Sequence, residues 1–189
     1  YKHQFHMSKN DLYCNAGMYL VDLKKWREEK VEDKIIKRIH EQNGNVFFFE
    51  QTLMNWSCSG KILQLPPKYN AYTLFWAFTY KNLICWRKPN AFYLESEVEE
   101  AKDNPIIIHF TRNFYMLSRP WIKGCDHPKT KEYVKYKLLT PWKQLEEDNR
   151  SKKSIRRYKL WHIIPQRILA IGAGVIYNEV RPKLWWKNE

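Results

Sequence analysis

Ile106, Ile107 and Ile108 stand together between Pro105 and His109-Phe110-Thr111. Three β-branched residues in a row lose rotamer freedom in a helix and suit a strand. Polar loop chemistry follows at once, so residues 105–110 are predicted to be a strand with His109 at its carboxyl end. In α/β sheets that end is where ligand sites form.

Other segments fall around it. Residues 18–23 are apolar and follow the small-residue turn Asn15-Ala16-Gly17, and they are predicted to be a buried strand. Residues 24–42 are predicted to be helical, with Val31, Ile35 and Ile39 on one face and Ile36 widening it. Gly44 suits the left-handed cap that ends such a helix. Residues 50–58 read as a short helix, residues 61–65 as a strand closed by Pro66-Pro67, and residues 96–102 as an exposed acidic helix. Residues 72–80 are aromatic-rich and can pack on the core in either state. Residues 127–139 are predicted to be helical, with Pro128 near the first turn.

The chain has 189 residues, of which 44% are hydrophobic and 16% aromatic, so disorder of the whole chain is excluded. Its formal charge is +13, which favours an anionic partner. Residues 150–189 hold ten Lys/Arg against two Glu, a net +8 of that total. The sequence therefore divides into residues 1–149 and a basic, aromatic tail of residues 150–189. Residues 168–177 form an uncharged run of ten, too short to cross a bilayer, with Trp161, Trp185 and Trp186 flanking it. Basic residues beside apolar and Trp-rich stretches fit an element lying in the headgroup region of an anionic membrane. A helix packed on the domain with a solvated basic face is a second reading, and an RNA-binding arm a third; the chain carries no RRM, KH or zinc-knuckle signature. Cys14, Cys58, Cys85 and Cys125 lack metal-ligand spacing and a disulfide framework, and read as free thiols. The polar opening Tyr1-Lys2-His3-Gln4-Phe5-His6 has no apolar core of a signal peptide.

Three segments carry candidate chemistry. At Asn15-Ala16-Gly17 small residues allow a ligand near the backbone, and the amide can bond a sugar hydroxyl. The plain alternative is an ordinary turn. Glu50-Gln51 sets a carboxylate beside an amide, suited to hydroxyl recognition or to developing positive charge at carbon; equally, Glu50 can serve a helix N-terminus. His109 can bind a divalent metal as a neutral imidazole, and Arg119 can grip diphosphate oxygens. A lone His beside an apolar strand can instead be a satisfied core residue.

Taken in order, these segments resemble glycosyltransferase family 8, the retaining hexosyltransferases that include bacterial lipopolysaccharide and capsule galactosyl- and glucosyltransferases. Asn15-Ala16-Gly17, running through Leu20-Val21-Asp22 to Leu23-Lys24-Lys25-Trp26-Arg27, is similar to the family's Asn-(Ala/Ser)-Gly segment. Glu50-Gln51-Thr52-Leu53-Met54-Asn55 resembles its Asp-Gln-Asp-x-x-Asn helix, and Leu65-Pro66-Pro67-Lys68-Tyr69-Asn70 its Leu-Pro-x-x-Tyr-Asn turn. Ile106-Ile107-Ile108-His109-Phe110-Thr111 with Arg119-Pro120-Trp121 resembles its His-Phe-x-Gly…Lys-Pro-Trp segment, followed by Thr140-Pro141-Trp142.

The resemblance covers about residues 10–145. It implies an α/β fold of GT-A type, a nucleotide-diphosphosugar donor such as UDP-galactose or UDP-glucose, a glycan or lipid-linked acceptor and a divalent metal, Mn2+ or else Mg2+. It also implies roles: His109 as the metal-ligating histidine, Arg119 at the diphosphate, and Asn15, Ala16, Gly17, Glu50 and Gln51 around the donor sugar. Glu50 replaces an Asp, Thr52 removes a charge, and Arg112 stands where the family has Gly, beside the phosphate contact. Nothing before Asn15 supplies the family's Asp-x-Asp motif, so the chain is expected to be the C-terminal half of the catalytic domain plus its tail, and inactive alone. The implied location is the inner face of the cell membrane, on the cytoplasmic side. A catalytically lost membrane-peripheral homologue and a basic nucleic-acid-binding module are the competing readings, although no nucleic-acid partner is expected.

Overall fold

Asp22 starts the first helix of the computed structural model by accepting the amides of Lys24 and Lys25 at 3.0 and 3.1 Å. Phe5, Met7, Ser8 and residues 11–87 and 92–180 are described. Tyr1, Lys2, His3, Gln4 and His6 of the opening stretch, and Trp185 and Trp186 beside the tail, lie outside the described residues. The chain divides into two compact units, one within Tyr1–Leu65 and one spanning Pro66–Arg181.

In the first unit, helix α1 covers Leu23–Glu28, α2 Val31–Glu41 and α3 Phe49–Ser57. The single helix expected over residues 24–42 is broken at Lys30, whose φ of 50° is left-handed. The break leaves Glu29 to pair with Lys61 and Lys34. Val31 is buried on the predicted face, and Ile35 and Ile39 are half-buried. Trp56 anchors the base of α3, with Phe5 packed on it at 4.9 Å and the Arg38 guanidinium over its ring at 4.1 Å. The two strands expected here differ from the reading. Residues 18–23 and 61–65 form no strand, and Leu20 and Leu63 are 85 and 91% exposed. Strand formation needs a neighbour to pair with, and neither segment has one among the described residues.

In the second unit, β1 (Ala71–Tyr72) pairs in parallel with β2 (Ile108–His109), in the register Ala71 to Ile108 and Tyr72 to His109. The strand predicted over residues 105–110 thus shortens to its last part. Ile106 and Ile107 are exposed, and their amides are both taken by the Lys68 carbonyl. Helices α4 (Leu74–Ala77), α5 (Tyr80–Arg87) and α6 (Glu95–Asp103) enclose the core of this unit. That core contains Leu74, Phe75, Phe78, Leu83, Trp86, Val98 and Ala101, so the aromatic segment beginning at Tyr72 is its centre. Helix α6 keeps its acids in water and turns Val98 and Ala101 inward. Helix α7 covers Thr130–Lys137, within the expected span.

The tail forms α8 (Lys152–Ile163) and α9 (Gln166–Val175). Ser151 caps α8 by accepting the Ser154 amide at 3.2 Å. One face of α9 joins the second unit's core through Ala170, with Ala173 packed against it, and Leu169 and Gly174 are also buried. Gly174 lies so close to α5 that a Cβ there would stand 3.0 Å from the Trp86 carbonyl oxygen. The opposite face, Ile168, Ile171, Val175 and Ile176, is exposed, as are the basic residues of α8. Among the described residues no single helix is long and apolar enough to cross a membrane.

Candidate active site

The sequence reading put Asn15-Ala16-Gly17 and Glu50-Gln51 in separate segments, and the first unit brings them together. Gln51, in the first turn of α3, accepts hydrogen bonds from the Asn15 side-chain amide at 3.2 Å and from the Ala16 backbone at 3.3 Å. Asn15 Oδ1 in turn accepts the Gly17 amide at 2.9 Å, which closes the bend. Gln51 thus ties both Asn15 and Ala16 of the loop through one carboxamide oxygen.

A second amide ties the same loop one turn further along α3. Asn55 is buried, accepts the Cys14 amide at 2.7 Å and donates to the Cys14 carbonyl at 2.8 Å. Thr52 between them is fully buried; its hydroxyl donates to the Phe47 carbonyl and meets Tyr13 Oη at 2.7 Å. The loop of residues 13–17 is therefore held by Gln51, Thr52 and Asn55 of one helix, Asn55 lying four and three positions after the other two and so on the face they share with it. Burial raises the Tyr13 phenol and the Cys14 thiol above their ordinary pKa values, so both stay neutral at pH 7.

Glu50 is exposed, as an acid in the first turn of α3. The backbone enters that turn through Phe48 and Phe49, both left-handed with φ of 61° and 46°. Two non-glycine residues in this region cost roughly 1–2 kcal/mol each and set the direction in which Glu50 and Gln51 leave the helix start. Tyr19 is pushed up to about 12, first by burial and then by the Glu50 charge.

His109, Arg112 and Arg119 belong to the second unit. His109 ends β2, and its Nδ1 lies 3.0 Å from Asn70 Oδ1. An amide oxygen only accepts, so Nδ1 carries the proton and Nε2 keeps its lone pair. Burial holds this imidazole below its usual pKa, so it is neutral at pH 7. A neutral ring, oriented through one nitrogen and open at the other, is the form that ligates a divalent cation. Among the described residues no three His, Cys, Asp or Glu side chains gather to hold a metal, so His109 qualifies as one donor of a set and not as a site by itself. Asn70 carried no role in the sequence reading; its place at the end of the Leu-Pro-x-x-Tyr-Asn turn gives no sign of a bond to a residue 39 positions later.

The guanidinium of Arg119 lies 5.5 Å from the Trp121 ring centroid, and its buried Nε has no hydrogen-bond partner among the described residues. Arg112 is exposed on the loop after β2. The sequence reading did not single out His127 as a candidate site residue. It is 3% exposed, with Trp76 and Phe110 rings at 4.9 and 4.8 Å. Its Nδ1 accepts the Lys129 amide at 3.1 Å. Burial, with Lys129 nearby, lowers its pKa to about 4.

A family model described as glycosyl transferase family 8 matches residues 2–123. The chain belongs to glycosyl transferase family 8. All eight candidate residues, from Asn15 to Arg119, lie inside that match. Among curated relatives, lipopolysaccharide 1,2-glucosyltransferase of Escherichia coli (strain K12) is 30% identical over 171 residues, which are 87% of this chain and 45% of the relative. General stress protein A of Bacillus subtilis (strain 168) is 26% identical over 132 residues, 69% of this chain and 42% of the relative. The chain spans less than half the length of these relatives. The apo structure of the bifunctional glycosyltransferase WbbM superposes with a TM-score of 0.56 at 17% identity, over 84% of this chain and 24% of that one. The fold is thus the α/β fold of GT-A type expected for family 8.

Proposed function

We propose that this family 8 chain serves, in its full-length context, a retaining transfer of a hexose from a nucleotide-diphosphosugar to a glycan or lipid-linked acceptor. UDP-glucose or UDP-galactose is the donor in this reading. The observation that carries it is the family match, which takes in every candidate residue. In the reaction the bond from the anomeric carbon to the diphosphate breaks with its electron pair leaving on the diphosphate, a bond to the acceptor oxygen forms, and the acceptor hydroxyl's proton passes to the departing diphosphate.

The roles follow from the side chains. The Asn15-Ala16-Gly17 bend receives the donor sugar, and Gln51 holds that bend in shape through Asn15 and Ala16. The exposed carboxylate of Glu50 faces positive charge developing at the anomeric carbon. Arg119, with Arg112 on the same loop, neutralises the leaving diphosphate. His109 is one ligand of a divalent cation, Mn2+ or Mg2+, with Asn70 fixing its tautomer. Such a cation, when bound, offsets charge on the diphosphate oxygens.

In the same reading residues 150–189 hold the enzyme on an anionic membrane surface at the cytoplasmic face. Support comes from the exposed basic residues of α8 and the exposed apolar face of α9, which suit headgroup phosphates and the acyl boundary. Flotation with anionic and neutral liposomes, with and without residues 150–189, checks it; equal flotation of both forms refutes it.

A catalytically lost homologue is disfavoured by Thr52. That residue is fully buried and hydrogen-bonded on both sides, so its lack of charge removes nothing from a solvent-facing site. The test is transfer and hydrolysis of UDP-hexoses by the full-length protein with and without Mn2+. His109→Ala is expected to lower metal-dependent turnover by roughly two orders of magnitude or more. Wild-type metal dependence in that variant removes the His109 role, and a folded full-length protein inert towards every UDP-hexose removes the reading.

A further inference from the structure

The loop of residues 111–119 joins the candidate diphosphate contacts to the tail. Arg112 stands near its start and Arg119 at its end. Its base is closed by the buried Ser118, whose hydroxyl donates to the Thr111 carbonyl at 2.8 Å. Inside it, Asn113 Oδ1 accepts the amides of Tyr115 and Met116 at 2.8 and 2.7 Å, a turn made by a side chain. The rings of Phe114 and Tyr115 then lie on Phe78, with centroids 5.8 and 5.2 Å away, and Phe114 meets Trp86 edge-on at 5.4 Å.

Helix α8 supplies further rings to the same two residues. Ser154, Tyr158 and Trp161 are its half-buried residues, at spacings of four and three that share one face, whereas Lys152, Lys153, Arg156, Arg157 and Lys159 are exposed. Trp161 meets Phe114 edge-on at 6.1 Å. His162 stacks on Tyr115 at 4.4 Å with 21° between the planes, and the Tyr158 ring lies 4.1 Å from the same imidazole. His162 Nδ1 donates to the Tyr158 carbonyl at 2.8 Å, which fixes the ring in place. Stacked and edge-on pairs of this kind add to plain burial. They use none of the exposed cations that the membrane reading needs.

We propose that α8 is a positioning element of the donor site: through Trp161 and His162 it holds the loop of residues 111–119, and with it Arg112 and Arg119, in the form that receives the diphosphate. The inference rests on the reading of these arginines as diphosphate contacts, and it gives the tail a task that needs no membrane. Its physical basis is entropy. A loop with an arginine near each end must be ordered before both guanidiniums can face one ligand. Hydrogen bonds order the base and the Asn113 turn, whereas Phe114 and Tyr115 are held by rings, and α8 contributes Trp161 and His162 to that set. Where only a fraction of molecules hold the competent loop, apparent affinity falls by that fraction.

The test uses the full-length protein in lipid-free buffer, with UDP and Mn2+ as the probe. His162 is exposed, so His162→Ala removes the stack on Tyr115 without opening the core. The dissociation constant for UDP should rise roughly fivefold or more, and the amides of Tyr115 and Met116 should exchange faster by a similar factor. His162→Phe keeps a ring against Tyr115 and should bring both values back to within about twofold of the wild type. Arg119→Ala, read in parallel, separates this inference from the reading beneath it. If Arg119→Ala weakens UDP while His162→Ala changes neither affinity nor exchange, the positioning role is overturned and the diphosphate reading stands. Faster exchange in His162→Ala with wild-type UDP affinity means that α8 serves the loop's stability alone, and this too overturns the role. So does a loss that His162→Phe fails to restore. If Arg119→Ala binds UDP as the wild type does, the diphosphate reading falls and this inference falls with it.

Discussion

The side chain of Asn55 grips the backbone of Cys14 on both sides, accepting its N–H at 2.7 Å and donating to its C=O at 2.8 Å. The same amide also donates to the Gln51 carbonyl at 2.7 Å. Replacing it with alanine removes three hydrogen bonds at a buried position and leaves backbone groups without partners. Asn55→Ala is therefore expected to destabilise the first unit by about 2–3 kcal/mol, read as a lower midpoint in urea. If the bend receives the donor sugar as proposed, loosening it should also weaken donor binding by the full-length protein, although Asn55 itself is buried. Unchanged stability would show that the bend does not depend on this clamp.

Thr52 gives a prediction of opposite intent. Aspartate at this position would restore the residue type of the family motif, yet here the environment is fully buried. The threonine hydroxyl donates to the Phe47 carbonyl and meets the Tyr13 hydroxyl. A carboxylate cannot donate to that carbonyl, and would set a charge against it. Thr52→Asp should cost about 3 kcal/mol or more, while Thr52→Ser should cost about 1 kcal/mol. Chemical denaturation of both variants checks this, and a Thr52→Asp variant as stable as the wild type would contradict it.

Two glycines of α9 should respond differently to the same substitution. A Cβ on Gly174 meets the Trp86 carbonyl oxygen at 3.0 Å and the Cys85 carbonyl oxygen at 3.3 Å, both backbone atoms that cannot turn away. A Cβ on Gly172 would meet nothing within 4 Å beyond its own stretch of helix. Gly174→Ala should force α9 off α5 and cost about 1–3 kcal/mol. Gly172→Ala should stabilise by about 0.5–1 kcal/mol through helix propensity. Thermal unfolding of the two variants decides whether this part of the basic tail belongs to the second unit's core.

Most helices were legible because their signals are local. Val31, Ile35 and Ile39 mark α2, Pro128 precedes α7, and the acids of α6 surround the inward Val98 and Ala101. The strands were less legible because a strand is defined by its partner. Residues 18–23 carry a buried-strand sequence with no pairing strand among the described residues, and the triple isoleucine pairs only from Ile108 onward. The break at Lys30 rests on a left-handed backbone at a residue type that gives no warning of it. At the candidate site, the segments were visible and their bonds were not. Gln51 reaches Asn15 across 36 positions and Asn70 reaches His109 across 39, distances at which neither periodicity nor spacing speaks.

His127 supplies the pH dependence. Its folded pKa is about 4, lowered first by burial and then by Lys129, against about 6.5 in the unfolded chain. Between these values the unfolded state binds the proton and the folded state does not, so stability rises with pH. The contribution is complete above about pH 6.5 and is lost as pH falls towards 4. From pH 7.5 to pH 5 the loss from this group amounts to about 2 kcal/mol. Carboxylates also titrate towards the acid end, so the measurement is a difference between wild type and His127→Phe. The variant keeps an aromatic ring between Trp76 and Phe110 and gives up only the Lys129 amide bond. Its urea midpoint should be lower than that of the wild type at pH 7.5, and the gap should narrow or reverse by pH 5. A gap that stays constant across this range would mean that His127 is not held neutral by its surroundings.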